Sequence, residues 1–86
     1  MQLGGIPRLH LGEFPTPLQE LKNLSRTLGG PRIFVKRDDQ TGLGLGGNKL
    51  RKLEYALAEA VAQGATVVIT VGGPQSNHVR LTTAAC

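Results

Sequence analysis

The sequence is poor in cysteine, and this shortage excludes two classes of protein. A single cysteine, Cys86, occurs in 86 residues, so no internal disulfide can form, and no group of cysteine and histidine has the spacing of a structural zinc site. A lone thiol is typical of a reducing compartment. We therefore expect a cytoplasmic protein.

Long apolar runs are also missing. The N terminus has no basic stretch followed by a long apolar one, as a secretory signal would, and no run approaches the roughly 18 apolar residues of a membrane span. We expect no membrane partner.

Aromatic residues are scarce, at 3%, although the formal net charge is +4. The basic residues are mixed with acids and carry no interleaved stacking aromatics, so nucleic acid is not an expected partner. The hydrophobic content of 40% is that of a globular protein. However, a chain this short buries only about 60% of the surface of its unfolded form. Residues 79–86 read as a helix without a stop signal, so we expect the N-terminal portion of a longer protein.

Two helices and an arm are predicted from local signals. Residues 8–11 are an edge strand or an extended arm. Thr16-Pro17-Leu18-Gln19 has the pattern of a capping box, which predicts a helix from Thr16 to the Gly29-Gly30-Pro31 stop. The second helix ends near Gly64, and its apolar face repeats at helical spacing. That face contains Leu50, Leu53, Leu57, Ala60 and Val61.

Two strands complete the prediction. Residues 33–35 are apolar and lead into the charged run 36–39, which indicates a strand that ends at the edge of a sheet. Residues 66–71 are almost all β-branched without polar alternation, as in a parallel strand covered on both faces. The order helix, strand, helix, strand, helix predicts an α/β protein with a parallel sheet between helical layers.

Lys49 is the first candidate for chemistry. It follows the glycine run 42–47 and Asn48 and opens the second predicted helix, so a primary amine lies where a loop becomes rigid. The positive end of the helix dipole, with Arg51 and Lys52 nearby, should favour the neutral amine, which is the nucleophilic form. Lys49 is therefore a candidate for imine formation with a carbonyl.

The glycine run itself leaves other interpretations open. Gly42-x-Gly44-x-x-Gly47 matches a dinucleotide-binding fingerprint in form, but four residues separate it from the strand and no carboxylate ends the next strand. A phosphate-binding Walker loop fails because the lysine comes one residue late. A nucleotide-binding module and a plain flexible loop remain as alternatives.

The second candidate element is Gly72-Gly73-Pro74-Gln75-Ser76-Asn77-His78. A turn leads here into a helix N-terminus that offers a hydroxyl, an amide and free N–H groups, which suits a carboxylate ligand. The plainer interpretation is that Ser76 is an N-cap and His78 a surface histidine.

Three segments resemble a known family. They are Lys36-Arg37-Asp38-Asp39, residues 46–54 and residues 75–80, and Pro15-Thr16-Pro17-Leu18 is similar to the family's opening. The resemblance is to pyridoxal-phosphate enzymes of the D-cysteine desulfhydrase and 1-aminocyclopropane-1-carboxylate deaminase family, which have the tryptophan-synthase-β fold. It implies the parallel-sheet, three-layer architecture of that fold, present as its N-terminal portion. Residues 1–64 would be the lysine-bearing segment and residues 65–86 the start of the small α/β domain.

The resemblance also implies roles for five residues. Pyridoxal 5'-phosphate would be covalently attached to Lys49, which would then act as the base at the substrate α-carbon. Asn77 would bond the cofactor's 3-oxygen, and Lys52 would approach the phosphate. Ser76, with the N–H groups of Asn77 and His78, would bind the substrate carboxylate.

The implied reaction is an α,β-elimination from D-cysteine that yields pyruvate, ammonia and sulfide. His78 favours this reaction, because the deaminase branch tends to have glutamine there; 1-aminocyclopropane-1-carboxylate deaminase is the alternative. A small amino-acid substrate and a homodimer are expected of the full-length protein. Since the resemblance places other cofactor-binding parts beyond Cys86, the 86 residues alone are expected to bind the cofactor poorly and to be inactive. A non-catalytic fragment is the remaining alternative.

Overall fold

The computed structural model describes residues 4–86. Its elements, in chain order, are β1 (Leu18–Glu20), α1 (Lys22–Leu28), β2 (Phe34–Lys36), α2 (Lys49–Ala62) and α3 (Asn77–Ala85). Two single 3-10 turns, Asp38–Gln40 and Leu43–Leu45, lie between β2 and α2. None of the helices between residues 4 and 86 has the length and apolar character needed to cross a bilayer.

The first sheet element corrects the capping-box prediction. Leu18–Glu20 forms a strand that pairs antiparallel with β2, and the helix begins only at Lys22. Thr16 does not cap a helix, because its buried hydroxyl donates to Asp38 at 2.8 Å. The Gln19 side chain accepts a hydrogen bond from Arg37 at 2.7 Å. Contacts with distant residues thus outweigh the local helix signal.

The predicted end of α1 and the predicted strand at residues 33–35 are confirmed. Gly29 adopts the left-handed conformation, with φ 63°, and its N–H donates to the carbonyls of Ser25 and Arg26. β2 forms one residue later than predicted, at Phe34–Lys36. Residues 8–11 are an extended arm rather than a strand, and the arm's Leu9 N–H donates to the Glu54 carbonyl at 3.0 Å.

The core lies between α2 and α3. Leu50, Leu53 and Leu57 of α2 are buried together with Leu81 of α3, which confirms three positions of the predicted apolar face. Val61 does not belong to that face in the structure, because it is 62% exposed. Smaller contributions come from partly buried residues around this cluster: Leu9, Leu11, Phe14, Leu43 and Ala85.

The prediction of a buried parallel strand at residues 66–71 is wrong for the described chain. These residues form no strand, and Ile69 and Val71 are 87% and 89% exposed. Within residues 4–86 the only sheet is the antiparallel β1–β2 pair, so no neighbouring strand is available for them to bond. A strand needs such a neighbour because its backbone groups bond between strands and not within one.

Candidate functional site

The glycine run before Lys49 is a packed loop, which corrects the flexible-loop interpretation. The Thr41 hydroxyl is buried, donates to the Gly47 carbonyl at 3.1 Å and accepts from the Gly47 N–H at 2.9 Å. A Cβ at Gly44 would lie 2.8 Å from the Cβ of Ala84, and one at Gly47 would lie 3.0 Å from Leu81. Both glycines also have positive φ, so larger residues would be excluded by contact and by backbone conformation.

The same geometry argues against a phosphate-binding loop. The Gly46 N–H donates to the Leu43 carbonyl at 2.9 Å, and the Gly47 N–H is taken by Thr41. A phosphate cradle works through free N–H groups that point at the ligand. These two donors are already used inside the loop.

Lys49 is the first residue of α2 and is half-buried. Within residues 4–86 its ammonium group has neither a hydrogen bond nor an ion pair, although several other cations of the chain are paired. Lys52 lies one turn later and is exposed. Side chains three residues apart lie on neighbouring parts of a helix surface, so both amines are at the start of α2.

Two ion-pair networks fix the start of α2, and neither was expected from the sequence. Arg51 binds both Asp38 oxygens at 2.7 Å and also contacts the Thr16 hydroxyl at 3.0 Å. The Arg51 guanidinium and the Thr16 hydroxyl lower the pKa of Asp38 to about 2. Arg51 also lies over the Phe14 ring, 4.9 Å from its centroid.

The second network surrounds Glu54, which is completely buried. Its carboxylate accepts from the Leu11 and Gly12 N–H groups, at 2.8 Å and 3.1 Å, and from Arg8 at 2.5 Å. Burial by itself would raise the pKa of Glu54, but these donors stabilise the charged form and the pKa is lowered. Glu54 thereby ties the N-terminal arm to α2.

Ser76 is the N-cap of α3, as the plainer interpretation held. Its Oγ accepts from the Val79 N–H at 3.2 Å. The N–H groups of Asn77 and His78 have no partner within the part of the chain described. The end of α3 therefore keeps two free donors and the positive end of its dipole for an anion.

His78 is half-buried, and its Nδ1 atom is buried without a hydrogen-bond partner among the described residues. The imidazole lines a groove together with Thr70 and the apolar side chains of Leu53 and Val68. Burial of a nitrogen without a hydrogen-bond partner costs free energy. The Nδ1 atom of His78 is therefore a candidate for a hydrogen bond with a ligand or with a further polar group.

Arg80 joins the two candidate elements. It extends from α3 to the glycine loop and donates to the carbonyls of Gly44 and Gly46. Leu81 packs against the same loop, next to Gly47. The structure thus brings the segment before Lys49 against the helix that begins after Ser76. The spacing along the sequence could not indicate this contact, because it joins residues more than 30 positions apart.

The described residues thus combine an unpaired lysine with a helix N-terminus whose first N–H groups are free, and the glycine loop before the lysine contacts that helix. An amine can hold an aldehyde by its carbonyl carbon, and free N–H groups can hold an acid by its carboxylate. The family model of pyridoxal-phosphate dependent enzymes matches residues 9–86, so the chain belongs to this family.

The similar proteins carry two activity names. A D-cysteine desulfhydrase of Klebsiella pneumoniae is 58% identical over 79 residues, which is 92% of this chain and 24% of the relative. A Pyrococcus horikoshii protein named for 1-aminocyclopropane-1-carboxylate deaminase is 54% identical over 80 residues, which is 93% of this chain and again 24% of the relative. The chain thus spans about a quarter of the length of these curated relatives.

A solved structure confirms the fold class. It is described as the crystal structure of the ACC deaminase homologue, and this chain matches it with a TM-score of 0.89 and 53% identity. The match covers 96% of this chain and 25% of the other. The chain therefore has part of the α/β fold of that pyridoxal-phosphate enzyme family.

The described residues fit pyridoxal phosphate in three respects. Lys49 supplies a primary amine without a competing partner, and α3 supplies two free N–H groups at Asn77 and His78. Asn77 supplies an exposed side-chain amide at the same helix end. An amine and neutral donors are the groups that an aldehyde and an anionic oxygen require.

Proposed function

We propose that the full-length gene product is a pyridoxal-phosphate dependent lyase that eliminates sulfide from D-cysteine and releases pyruvate and ammonia. The observation that carries this proposal is the contact between the Lys49 loop and α3. Arg80 and Leu81 of α3 contact the glycine loop, which ends two residues before Lys49. Among the described residues, the Lys49 amine and the first N–H groups of α3 have no partner. Cofactor and amino acid would meet between these two groups.

The proposed roles follow from the chemistry of each group. Lys49 would attach the cofactor and then move the proton at the substrate α-carbon. The Ser76 hydroxyl and the N–H groups of Asn77 and His78 would hold the substrate carboxylate, and the hydroxyl would assist proton transfer. The Asn77 amide would also bond the cofactor's 3-oxygen, and Lys52 would approach its phosphate. The bound cofactor supplies the electron sink that stabilises negative charge at the α-carbon.

The competing activity within the family is 1-aminocyclopropane-1-carboxylate deaminase, because relatives of both names are similar to this chain. His78 is the residue on which the choice of D-cysteine depends. It is the second residue of α3 and follows the N-cap Ser76 by two positions, so its N–H group belongs to the helix end that would hold the substrate carboxylate. We expect His78→Gln to lower sulfide release more than it lowers cofactor binding.

The first experiment measures cofactor attachment in the full-length gene product. We expect an absorption band at about 420 nm, the range of a protonated lysine Schiff base. Reduction with borohydride should leave a pyridoxyl group on the peptide that contains Lys49. Lys49→Ala should remove both signals, whereas Lys22→Ala, at an exposed lysine of α1, should keep them. A label on another peptide would contradict the proposal.

The second experiment separates the two activities. The purified protein is given D-cysteine or 1-aminocyclopropane-1-carboxylate, and sulfide and ammonia are measured. Sulfide with ammonia from D-cysteine supports the elimination, whereas ammonia from the cyclopropane substrate alone supports the deaminase. A chimera can also be made, in which this chain replaces the matching part of the Klebsiella pneumoniae relative, which is 58% identical over 79 residues. Its activity tests whether these residues support catalysis together with the rest of that relative.

Three further expectations belong to the same proposal. The full-length protein is expected to be a cytoplasmic homodimer, which light scattering would test for assembly. The 86-residue chain alone is expected to bind pyridoxal phosphate poorly and to turn over neither substrate. The reason is that it spans about a quarter of the length of its relatives. Absorbance titration of the 86-residue chain with the cofactor measures this directly.

A further inference from the structure

Arg80 makes three hydrogen bonds that converge on the candidate site. One terminal nitrogen, Nη1, donates to the Gly44 carbonyl. The other, Nη2, donates to the Gly46 carbonyl at 3.0 Å and to the Asn77 side-chain oxygen at a longer 3.4 Å. A planar guanidinium can serve two carbonyls and a third acceptor at once, which an ammonium group cannot do in the same geometry.

The contact with Asn77 determines which way the Asn77 amide faces. Arginine has donors and no acceptor, so the Asn77 group next to Arg80 is the oxygen. The amide nitrogen of Asn77 then points away from Arg80 and is free to donate. A residue that bonds an anionic oxygen of a cofactor needs this donor, and the opposite amide orientation would present an oxygen to an oxygen.

We propose that Arg80 is a positioning residue, which orients the Asn77 amide as a donor and fixes the glycine loop next to Lys49. This inference rests on the proposed function, since Asn77 and Lys49 act there on the cofactor. Arg80 itself touches neither reactant. It lies on α3 one turn after Asn77 and contacts the glycine loop before Lys49, so its loss should disturb cofactor and substrate geometry together.

The test compares Arg80→Met with a matched control in the full-length gene product. Arg26 of α1 makes the same type of contact, to an asparagine three residues earlier and at the same 3.4 Å, but on an exposed helix without site residues. Arg26→Met should therefore behave as the parent protein. Arg80→Met should lower kcat by about tenfold or more with a smaller change in KM, because misplaced reacting groups slow the chemistry more than binding. Arg80→Lys should recover part of the loss.

A spectroscopic measurement follows the Asn77 amide itself. A hydrogen bond donated by Asn77 to the 3-oxygen of the bound cofactor would stabilise the anionic form of that oxygen, and the cofactor attached to Lys49 would then lose its proton at a lower pH. We expect the band at about 420 nm to persist to higher pH in Arg80→Met than in the parent. Asn77→Ala should shift the pH midpoint in the same direction. The double variant should shift it no further than Asn77→Ala alone, because the two residues act through one bond.

A third measurement needs no bound cofactor. Amide hydrogen exchange at Gly46 and Gly47 in the cofactor-free protein reports on loop order, since both N–H groups are bonded within the loop. Arg80→Met should speed their exchange by about tenfold or more, and Arg26→Met should not.

The outcomes separate this inference from the proposed function. If Lys49→Ala keeps the absorption band, the proposed function fails. If the parent has the band but Arg80→Met matches Arg26→Met in kcat, pH midpoint and exchange, only the Arg80 inference is overturned. A shift in exchange alone, with an unchanged pH midpoint, also overturns it, because Arg80 would then hold the loop without orienting Asn77. If Arg80→Met does not accumulate as folded protein, Arg80→Gln, which keeps a polar side chain but lacks the guanidinium, is measured with the same readouts and the same criteria.

Discussion

The segment before and through Lys49 and the segment before Ser76 are held in opposite ways. Residues 8–62, called here the anchored segment, contain the buried carboxylate of Glu54 and the Asp38–Arg51 pair. Residues 66–72, called the connecting segment, neither give nor receive a backbone hydrogen bond within the described chain, and most of their side chains are exposed. Ion pairs therefore hold the part of the candidate site that carries Lys49, whereas the connecting segment before Ser76 has no backbone hydrogen bonds among the described residues to hold it.

This contrast shows which contacts fix the position of α3. The connecting segment leads into α3 but has few contacts that could fix it. Arg80 and Leu81 instead dock α3 directly on the glycine loop. The candidate site is thus assembled by contacts of the helix itself, while the chain that leads to it adds little.

We expect the greatest loss of stability from a substitution that tests the contrast in burial. Leu50 is completely buried in α2, whereas Ile69 of the connecting segment is 87% exposed. We expect Leu50→Ala to lower the free energy of unfolding by about 3 kcal/mol, because it leaves a cavity in a packed core. Ile69→Ala should change it by less than about 0.5 kcal/mol. Urea denaturation followed by circular dichroism measures both, and equal losses would show that the connecting segment is packed.

The next effect concerns the buried carboxylate. Glu54→Gln keeps the shape of the side chain but replaces one accepting oxygen with an N–H₂ group, which cannot accept from the Leu11 and Gly12 N–H groups or from Arg8. It also removes the negative charge that pairs with Arg8. We expect a loss of about 2 kcal/mol in the free energy of unfolding. Glu59, also in α2, is exposed, and within residues 4–86 its carboxylate accepts a hydrogen bond from Gln63 alone. Glu59→Gln is therefore the matched control, with a change under about 0.5 kcal/mol. Similar values for the two variants would contradict the role of Glu54.

The sequence predicted those parts of the fold that depend on nearby residues. α2 was predictable because its apolar spacing and its glycine-rich start are local, and the stop at Gly29 is a local backbone preference. The helix start at Thr16 was wrong because the Thr16 hydroxyl is used by Asp38, a residue 22 positions away. The prediction of a strand at residues 66–71 was wrong because a β-branched composition favours a strand but does not provide the adjacent strand to which it must bond.

The candidate site was predictable to a similar extent. The location of Lys49 at the start of a helix and of Ser76 at an N-cap followed from local patterns. The roles of three other residues, Arg51, Glu54 and Arg80, could not be predicted from local patterns, although all three lie inside the segments that carry the family resemblance. Their partners are 13 to 46 positions away in the chain, and only the folded structure shows which charge meets which.

A smaller effect depends on pH and isolates Asp38 within the anchored segment. Arg51 and Thr16 lower the pKa of Asp38 from its ordinary 3.8 to about 2. A carboxyl whose pKa is lower in the folded state stabilises the protein fully above its unfolded pKa, and the stabilisation is lost as the pH falls from about 4 toward about 2. Asp38→Asn should therefore flatten the decline of stability over this range.

Asp39→Asn is the control for that measurement. Asp39 has a similar bidentate arginine partner in Arg37. Its side chain, however, is 62% exposed, and this pair does not include a residue of α2. Thermal denaturation between pH 4 and pH 2 should show a clearly smaller change for this variant, because exposed ion pairs contribute little. Glu54 is present in both variants, so its own titration cancels in the comparison. Equal pH dependence in Asp38→Asn and in the parent would exclude Asp38 as a source of acid sensitivity.

The smallest effect has the opposite sign and tests how far the anchored segment is strained. Leu45 has a positive φ of 71° and is 91% exposed. A left-handed conformation costs a residue with a Cβ about 1–2 kcal/mol, and glycine's extra freedom in the unfolded chain offsets about half of the gain. Leu45→Gly should therefore stabilise the fold by about 0.5 kcal/mol, whereas Leu24→Gly, inside α1, should destabilise it by about 1 kcal/mol. A loss of stability in Leu45→Gly would mean that another part of the full-length gene product packs against the leucine side chain. The loop before Lys49 would then be held by that contact as well as by Arg80 and Leu81.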